Sequence, residues 1–335
     1  MKAIGYKENL DIENENSLQD IELETPKAQG RDILVEVKAI SVNPVDYKVR
    51  SGMKAEGDKW KVIGWDATGI VMEVGEDVSL FKVGDKVWYA GDFSRQGSNA
   101  EYQLVDERIV GNKPGNLSYA EAAALPLTTL TAWELLFDRL QVSKDDDSKS
   151  ILIIGAAGGV GSIMVQLAKQ LTKLNIIGTA SREETTSWLQ DLGVHTVLNH
   201  KHKLSEELEK HNLPAPDYVV SLNGTEHHID EIVKLIKPQG KFGFIDDPKS
   251  LDVMPFKSKA VSTHFEFMFT RSMFQTEDMI EQHHILNKVS DLIDNNTIKT
   301  TVGEHFGRIN AENLRKAHAL LETGKAKGKI VLEEF

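Results

Sequence analysis

The chain has no cysteine among its 335 residues. Disulfides are excluded, and with them any pointer to an oxidising compartment. Thiolate zinc sites and cysteine nucleophiles are excluded as well. No stretch approaches the roughly 18 apolar residues of a membrane span. The start, Met1-Lys2-Ala3-Ile4-Gly5, runs into the acidic segment Asp11 to Asp20 without the long apolar core of a signal peptide. Basic residues are outnumbered: 39 Lys and Arg against 51 Asp and Glu give a net charge of −12. Such a surface argues against nucleic acid and anionic membranes as partners. A cytoplasmic protein is expected, in which any local basic cluster stands out.

What is present is a glycine-rich turn in an informative setting. Gly155-Ala156-Ala157-Gly158-Gly159-Val160-Gly161 follows the apolar run Ile151-Leu152-Ile153-Ile154 and opens the amphipathic stretch Val160 to Leu174. Strand, glycine turn and helix are the setting of a dinucleotide site. The glycines let backbone approach a pyrophosphate, and the helix N-terminus offers unpaired N–H groups and partial positive charge. Gly158, Gly159 and Val160 are the expected phosphate contacts. The next strand, Ile176 to Ala180, carries Thr179 and is followed by Ser181-Arg182 instead of a carboxylate. A carboxylate there would bind a ribose 2′-hydroxyl and repel a 2′-phosphate, whereas a hydroxyl and a guanidinium bind the phosphate. The expected cofactor is NADPH.

Length suggests two domains. The first 125 residues read as short strands with turn punctuation, among them Ile33–Ala39, Thr68–Val74, Lys86–Ala90 and Ala100–Val105, which suggests a barrel-like β domain. Helices are expected over 119–125 and 128–140. Strands then alternate with helices: 151–154, 176–180, 196–198, 217–221, 241–245 and 263–269, the pattern of a doubly wound parallel sheet. In the last of these, Phe265, Phe267 and Phe269 alternate with His264, Glu266 and Met268 and are expected to face the core, with lining of the substrate or cofactor cleft or pairing across a dimer as the alternative. A helix over 276–293 capped by Thr276, a strand over 298–306, a helix over 311–322 and a strand over 329–332 close the chain.

The order of β domain, dinucleotide domain and short return resembles the medium-chain dehydrogenase/reductase superfamily over nearly the whole chain. The resemblance implies an α/β protein: a GroES-like β-barrel domain formed by residues 1–126 and 271–335, and a Rossmann NADP-binding domain over 127–270. Gly64-Trp65-Asp66 sits where zinc alcohol dehydrogenases carry a His-Glu pair, and Asn43 sits where they carry a cysteine ligand. Asn43 and Trp65 cannot fill two of the three protein positions a catalytic zinc needs, so no metal is expected. Asn43-Pro44-Val45-Asp46 with Arg50-Ser51-Gly52, Gln96 to Tyr102, Leu125 to Trp133 and Gly328-Lys329-Ile330-Val331-Leu332 instead resemble the zinc-independent quinone oxidoreductase branch.

That resemblance implies hydride transfer from NADPH to a quinone or an α,β-unsaturated carbonyl. Asn43 is the first candidate to stabilise charge on the substrate oxygen, with Lys48 or Tyr47 second; Asp46 is expected to order the loop or pair with Arg50. Thr131 is placed beside the nicotinamide, His200 beside the 2′-phosphate, Asn223 near the adenine half, and Phe244 and Ile245 on the nicotinamide side. The histidine pairs 227–228 and 283–284 lack metal-ligand spacing. A homodimer is the family expectation. Reduction of an enoyl thioester, or non-enzymatic NADPH binding, are the alternatives the scaffold leaves open.

Overall fold

A computed structural model describes residues 1–335. The chain divides into one unit of Met1–Leu130 with Phe269–Phe335 and another of Thr131–Met268. No helix is long and apolar enough to cross a membrane.

The first unit is built around the strand Asp32–Val42, whose alternation of inward Ile33, Val35 and Val37 breaks near its end into a continuously buried run from Ala39 to Val42. Its seven-stranded sheet runs Val302–His305, Lys329–Glu333, Asp32–Val42, Ala67–Val74, Lys86–Tyr89, Val110–Asn112, with Tyr102–Asp106 also paired to Asp32–Val42. Two register shifts against Ala67–Val74 let the long strand bend, as closure of a barrel requires. Gly69 permits the close approach there: a Cβ would lie 2.1 Å from the Glu36 carbonyl oxygen. Lys329–Glu333 returns antiparallel, with Ile330 opposite Val42 and Val331 opposite Ser41. A small sheet of Gln19–Glu22, Lys2–Tyr6 and Lys61–Val62 completes the GroES-like domain.

The second unit is a six-stranded, wholly parallel sheet in the order Thr196–Leu198, Asn175–Thr179, Ser150–Ile154, Tyr218–Ser221, Lys241–Phe244, Ser262–Phe265. Ser150–Ile154 is buried at every residue, as a central parallel strand covered on both faces must be. Helices Gly159–Leu171, Glu183–Leu192, Leu204–Lys210 and Thr225–Leu235 supply the crossovers. Strand order reverses at Ser150–Ile154, which makes its C-terminal end the topological switch point of a Rossmann sheet.

Four expected elements differ. The strand over 263–269 ends at Phe265, and its alternation is reversed: Phe265 and Phe267 are 69% and 47% exposed, while Glu266 is buried. The reason is a polar partner: Arg139 Nε donates to Glu266 Oε2 at 2.9 Å, and Arg139 Nη2 lies 3.7 Å from buried Glu134, so the carboxyl group is accommodated inside. Only Phe269 is buried, and it precedes the short helix Thr270–Phe274. The helix expected from Thr276 starts at Glu281, because the Thr276 hydroxyl and the Arg271 guanidinium both donate to Asp278 and hold a turn. The helix over 128–140 begins at Pro126 and widens to a π-helical turn over Glu134–Arg139. The strand over 298–306 is confined to Val302–His305.

Burial and the adjacent Glu134 carboxyl push Glu266 well above the ordinary carboxylate range. A carboxyl raised in the folded state keeps a proton that the unfolded chain loses, so stability falls as pH rises between the two values. Glu266→Gln removes this term. Its melting temperature relative to wild type is expected to climb from pH 5 to pH 9 in thermal scans; a constant difference would show that Glu266 keeps its charge.

Candidate functional site

In the second unit, the glycine turn sits at the switch point. Gly155 adopts φ +79°, and its N–H donates to Thr179 Oγ1 at 3.1 Å. A Cβ on Gly161 would lie 2.3 Å from the Ala156 carbonyl oxygen, so the helix Gly159–Leu171 packs onto the turn only with glycine there. Gly158 is the N-cap and has no side chain to cover the first N–H groups. Those of Gly159 and Val160 are left for an anion, the cradle a pyrophosphate fits.

Basic groups gather next to this turn. Thr179 ends its strand with its hydroxyl 3.4 Å from His200 Nδ1. Ser181 is half-buried and Arg182 exposed at the N-cap of the helix Glu183–Leu192. Burial lowers the proton affinity of His200, and the positive charges of His228, Lys201 and Arg182 lower it further. His200 is therefore suited to donate an N–H as a neutral ring, with Arg182 and Lys201 supplying charge. Lys201 follows His200 directly in the chain, whereas His228, on the helix Thr225–Leu235, was not legible as part of the cluster because a distant segment brings it in. Asn223 is exposed before the αL residue Gly224, after Tyr218–Ser221. The Phe244 ring is committed to the core, stacked 5.5 Å from Phe242 and edge-on 4.8 Å from Phe265, which leaves its backbone and half-buried Ile245 at the strand end. Thr131 is buried on the helix Pro126–Trp133.

The first unit holds a second constellation, fully internal. Lys329 is 4% exposed and its ammonium donates to Asn43 Oδ1 at 2.6 Å, Asp66 Oδ2 at 2.8 Å and the Val42 carbonyl at 3.0 Å. Asn43 Nδ2 donates to the same Asp66 oxygen at 2.8 Å. The other Asp66 oxygen accepts the Leu127 N–H at 2.8 Å, at the start of the helix that carries Thr131. The Asn43 N–H donates to Asp46 Oδ2 at 2.6 Å, which fixes the entry of the helix Pro44–Gly52 with Pro44 at its first position.

An ammonium has three donors, and all three are used. The Asn43 amide is likewise engaged at both ends. Burial raises the Asp66 carboxyl, opposed by Lys329, Asn43 and Leu127. Burial also raises Asp46, to about 7, and its Oδ1 has no hydrogen-bond partner. With Asp46 protonated, Lys329 and Asp66 form a charge-balanced pair. Deleting one member of such a buried pair costs about 3–5 kcal/mol.

The other residues singled out lie around this core. Arg50 pairs with Glu322 and the Leu10 carbonyl, not with Asp46. Tyr47 is half-buried and lines a cavity of about 300 Å³ with Leu10, Ile12, Arg50 and Glu322. Lys48 is exposed on the same helix. Trp65 is buried against Phe93 and Phe269, its Nε1–H donating to the Asp92 carbonyl at 3.3 Å.

This donor set does not fit zinc. Indole offers no lone pair to a metal, and the Asn43 and Asp66 oxygens already face an ammonium. No cluster of three His, Cys, Asp or Glu is grouped so as to hold a metal. His283 instead contacts the Val110 carbonyl at 2.6 Å, and His284 lies 3.2 Å from Glu281.

Two family models match the chain. A model of the alcohol dehydrogenase GroES-like domain matches residues 29–134, and a model of zinc-binding dehydrogenases matches residues 192–332. A zinc-type alcohol dehydrogenase-like protein of Staphylococcus aureus is 41% identical over 339 residues, 99% of each chain. The 2-methylene-furan-3-one reductase of Solanum lycopersicum is 30% identical over 317 residues, 92% of this chain and 73% of the relative. A solved Rhizobium etli protein, described as a candidate zinc-dependent alcohol dehydrogenase, superposes with TM-score 0.97 at 55% identity, covering 100% of this chain and 98% of that one.

Proposed function

The chain belongs to the medium-chain dehydrogenase/reductase superfamily as a zinc-type alcohol dehydrogenase-like oxidoreductase, and from that premise we propose that it is an NADPH-dependent reductase of quinones or α,β-unsaturated carbonyls that works without zinc. The observation that carries the cofactor reading is the gathering of Arg182, Lys201, His200 and His228 beside the glycine turn, in a chain of net charge −12. Two cations and a neutral imidazole donor are the chemistry that recognises a 2′-phosphate. Gly158, Gly159 and Val160 hold the pyrophosphate on the helix N-terminus, with Thr179 bracing the turn from below. Ser181 and Asn223 serve the adenosine half; Thr131 and the Phe244–Ile245 backbone serve the nicotinamide.

Bound NADPH supplies the hydride, so the protein's task is alignment and charge stabilisation. Asn43 acts here through the buried Lys329–Asp66 pair, since both ends of its amide are engaged. Lys48 and Tyr47, on the helix that this pair anchors, are the donors assigned to the substrate oxygen. The acceptor class is supported by the tomato relative, whose name describes reduction of a methylene group conjugated to a ketone. Self-association through the sheet edge is part of the reading: Ser262–Phe265 is paired on one side only and presents exposed Phe265, a strand end suited to a second copy.

Three outcomes test this reading. Arg182→Glu is expected to weaken NADPH binding roughly 10- to 100-fold more than NADH binding in fluorescence titrations; equal losses would remove Arg182 from the 2′-phosphate. NADPH oxidation with 1,2-naphthoquinone or a short alkenal is expected to persist in chelator. Turnover confined to an enoyl thioester, or NADPH binding without any turnover, would replace the proposal with one of its two alternatives. Light scattering is expected to give twice the chain mass, falling to the single chain in Phe265→Asp; a wild-type monomer would discard the edge as an interface.

A further inference from the structure

One arrangement in the first unit is not explained by dinucleotide binding or by hydride transfer. Three buried oxygens converge on a side chain that is 263 to 287 residues away in sequence. They are a backbone carbonyl, a side-chain amide carbonyl and a carboxylate, from Val42, Asn43 and Asp66. Oxygens of these three kinds are the ligands of hard cations.

We infer that the Lys329 ammonium is the resident cation of this site: it fills an oxygen cradle that would otherwise accept a metal ion, and so bars metal while positioning Asn43 and Asp66. The inference rests on the zinc-free part of the function proposed above and is independent of NADPH preference and acceptor.

The charges require a cation there. Asp66 is wholly buried, and an isolated carboxylate in that environment is prohibitively costly. The cation is tethered to the strand Lys329–Glu333, whose register against Asp32–Val42 sets Lys329 next to Val42. With all three N–H groups engaged, the ammonium has no donor left for substrate and no lone pair for a metal. A divalent ion could enter only by displacing it. Lys329 is thus a positioning residue. It orients the Asn43 amide so that Nδ2 meets Asp66, and through Asp66 it holds the Leu127 N–H at the head of the Thr131 helix.

The test is cation binding by full-length Lys329→Ala, with Mn²⁺ as the probe. Millimolar Mn²⁺ is expected to raise the melting temperature of Lys329→Ala by roughly 3 °C or more, to leave wild type unchanged, and to have no effect on Lys329→Ala/Asp66→Ala. After gel filtration, metal analysis is expected to find Mn²⁺ in the single variant alone. Lys329→Arg, which restores a cation, is expected to lose the Mn²⁺ response. If Lys329→Ala folds only when Mn²⁺ is present during refolding, the inference stands. It is overturned if Mn²⁺ neither stabilises nor refolds Lys329→Ala, or if it stabilises wild type equally. Because none of these readouts uses NADPH or an acceptor, their failure is separate from failure of the reductase reading.

Discussion

Burying an ion pair in the first unit constrains everything around it. Lys329 and Asp66 can leave water only if every donor and acceptor between them is satisfied, since desolvation otherwise exceeds the attraction. The chain meets that condition by bringing four segments to one point: the end of Asp32–Val42, the turn carrying Trp65 and Asp66, the head of Pro126–Trp133, and the returning strand Lys329–Glu333. The start of the helix Pro44–Gly52 is fixed by the same network through Asn43 and Asp46. The barrel's bends and the helix that bears Lys48 and Tyr47 therefore share one electrostatic anchor.

The second unit works by a different economy. Its glycine turn carries no buried charge: the helix start offers backbone N–H groups suited to an anion, and glycine supplies the room. Charge appears only at the rim, on Arg182 and Lys201, where water can still reach it. The two units thus treat cations in opposite ways, one enclosing a lysine among oxygens and the other leaving arginine and lysine exposed.

Legibility follows sequence distance. The glycine turn, the first five strands of the parallel sheet with the helices between them, and Ser181-Arg182 at a strand end are local patterns that the structure keeps in place. That Asn43 and Trp65 are poor zinc ligands was readable from residue type alone. Lys329 was readable only as part of a terminal motif. Lysine is ordinarily exposed, and its partners lie in distant segments, so nothing local marks it as buried. Phe265 and Phe267 misled for a related reason: alternation gives the two faces of a strand but not which face is inside. Arg139, 127 residues from Glu266, decided that.

The position of Lys329 also sets an order of events during synthesis. Thr131–Met268 is one continuous stretch, and its sheet can form as soon as it has emerged from the ribosome. The barrel cannot close then, because the strand that carries its internal cation is made after every partner it must meet. Until that strand arrives, Asp66 has no counter-ion and must stay hydrated or protonated, and the first unit stays open. The sheet of Thr131–Met268 thus needs no strand from outside its own stretch, whereas the buried carboxylate of the first unit needs the last strand of the chain.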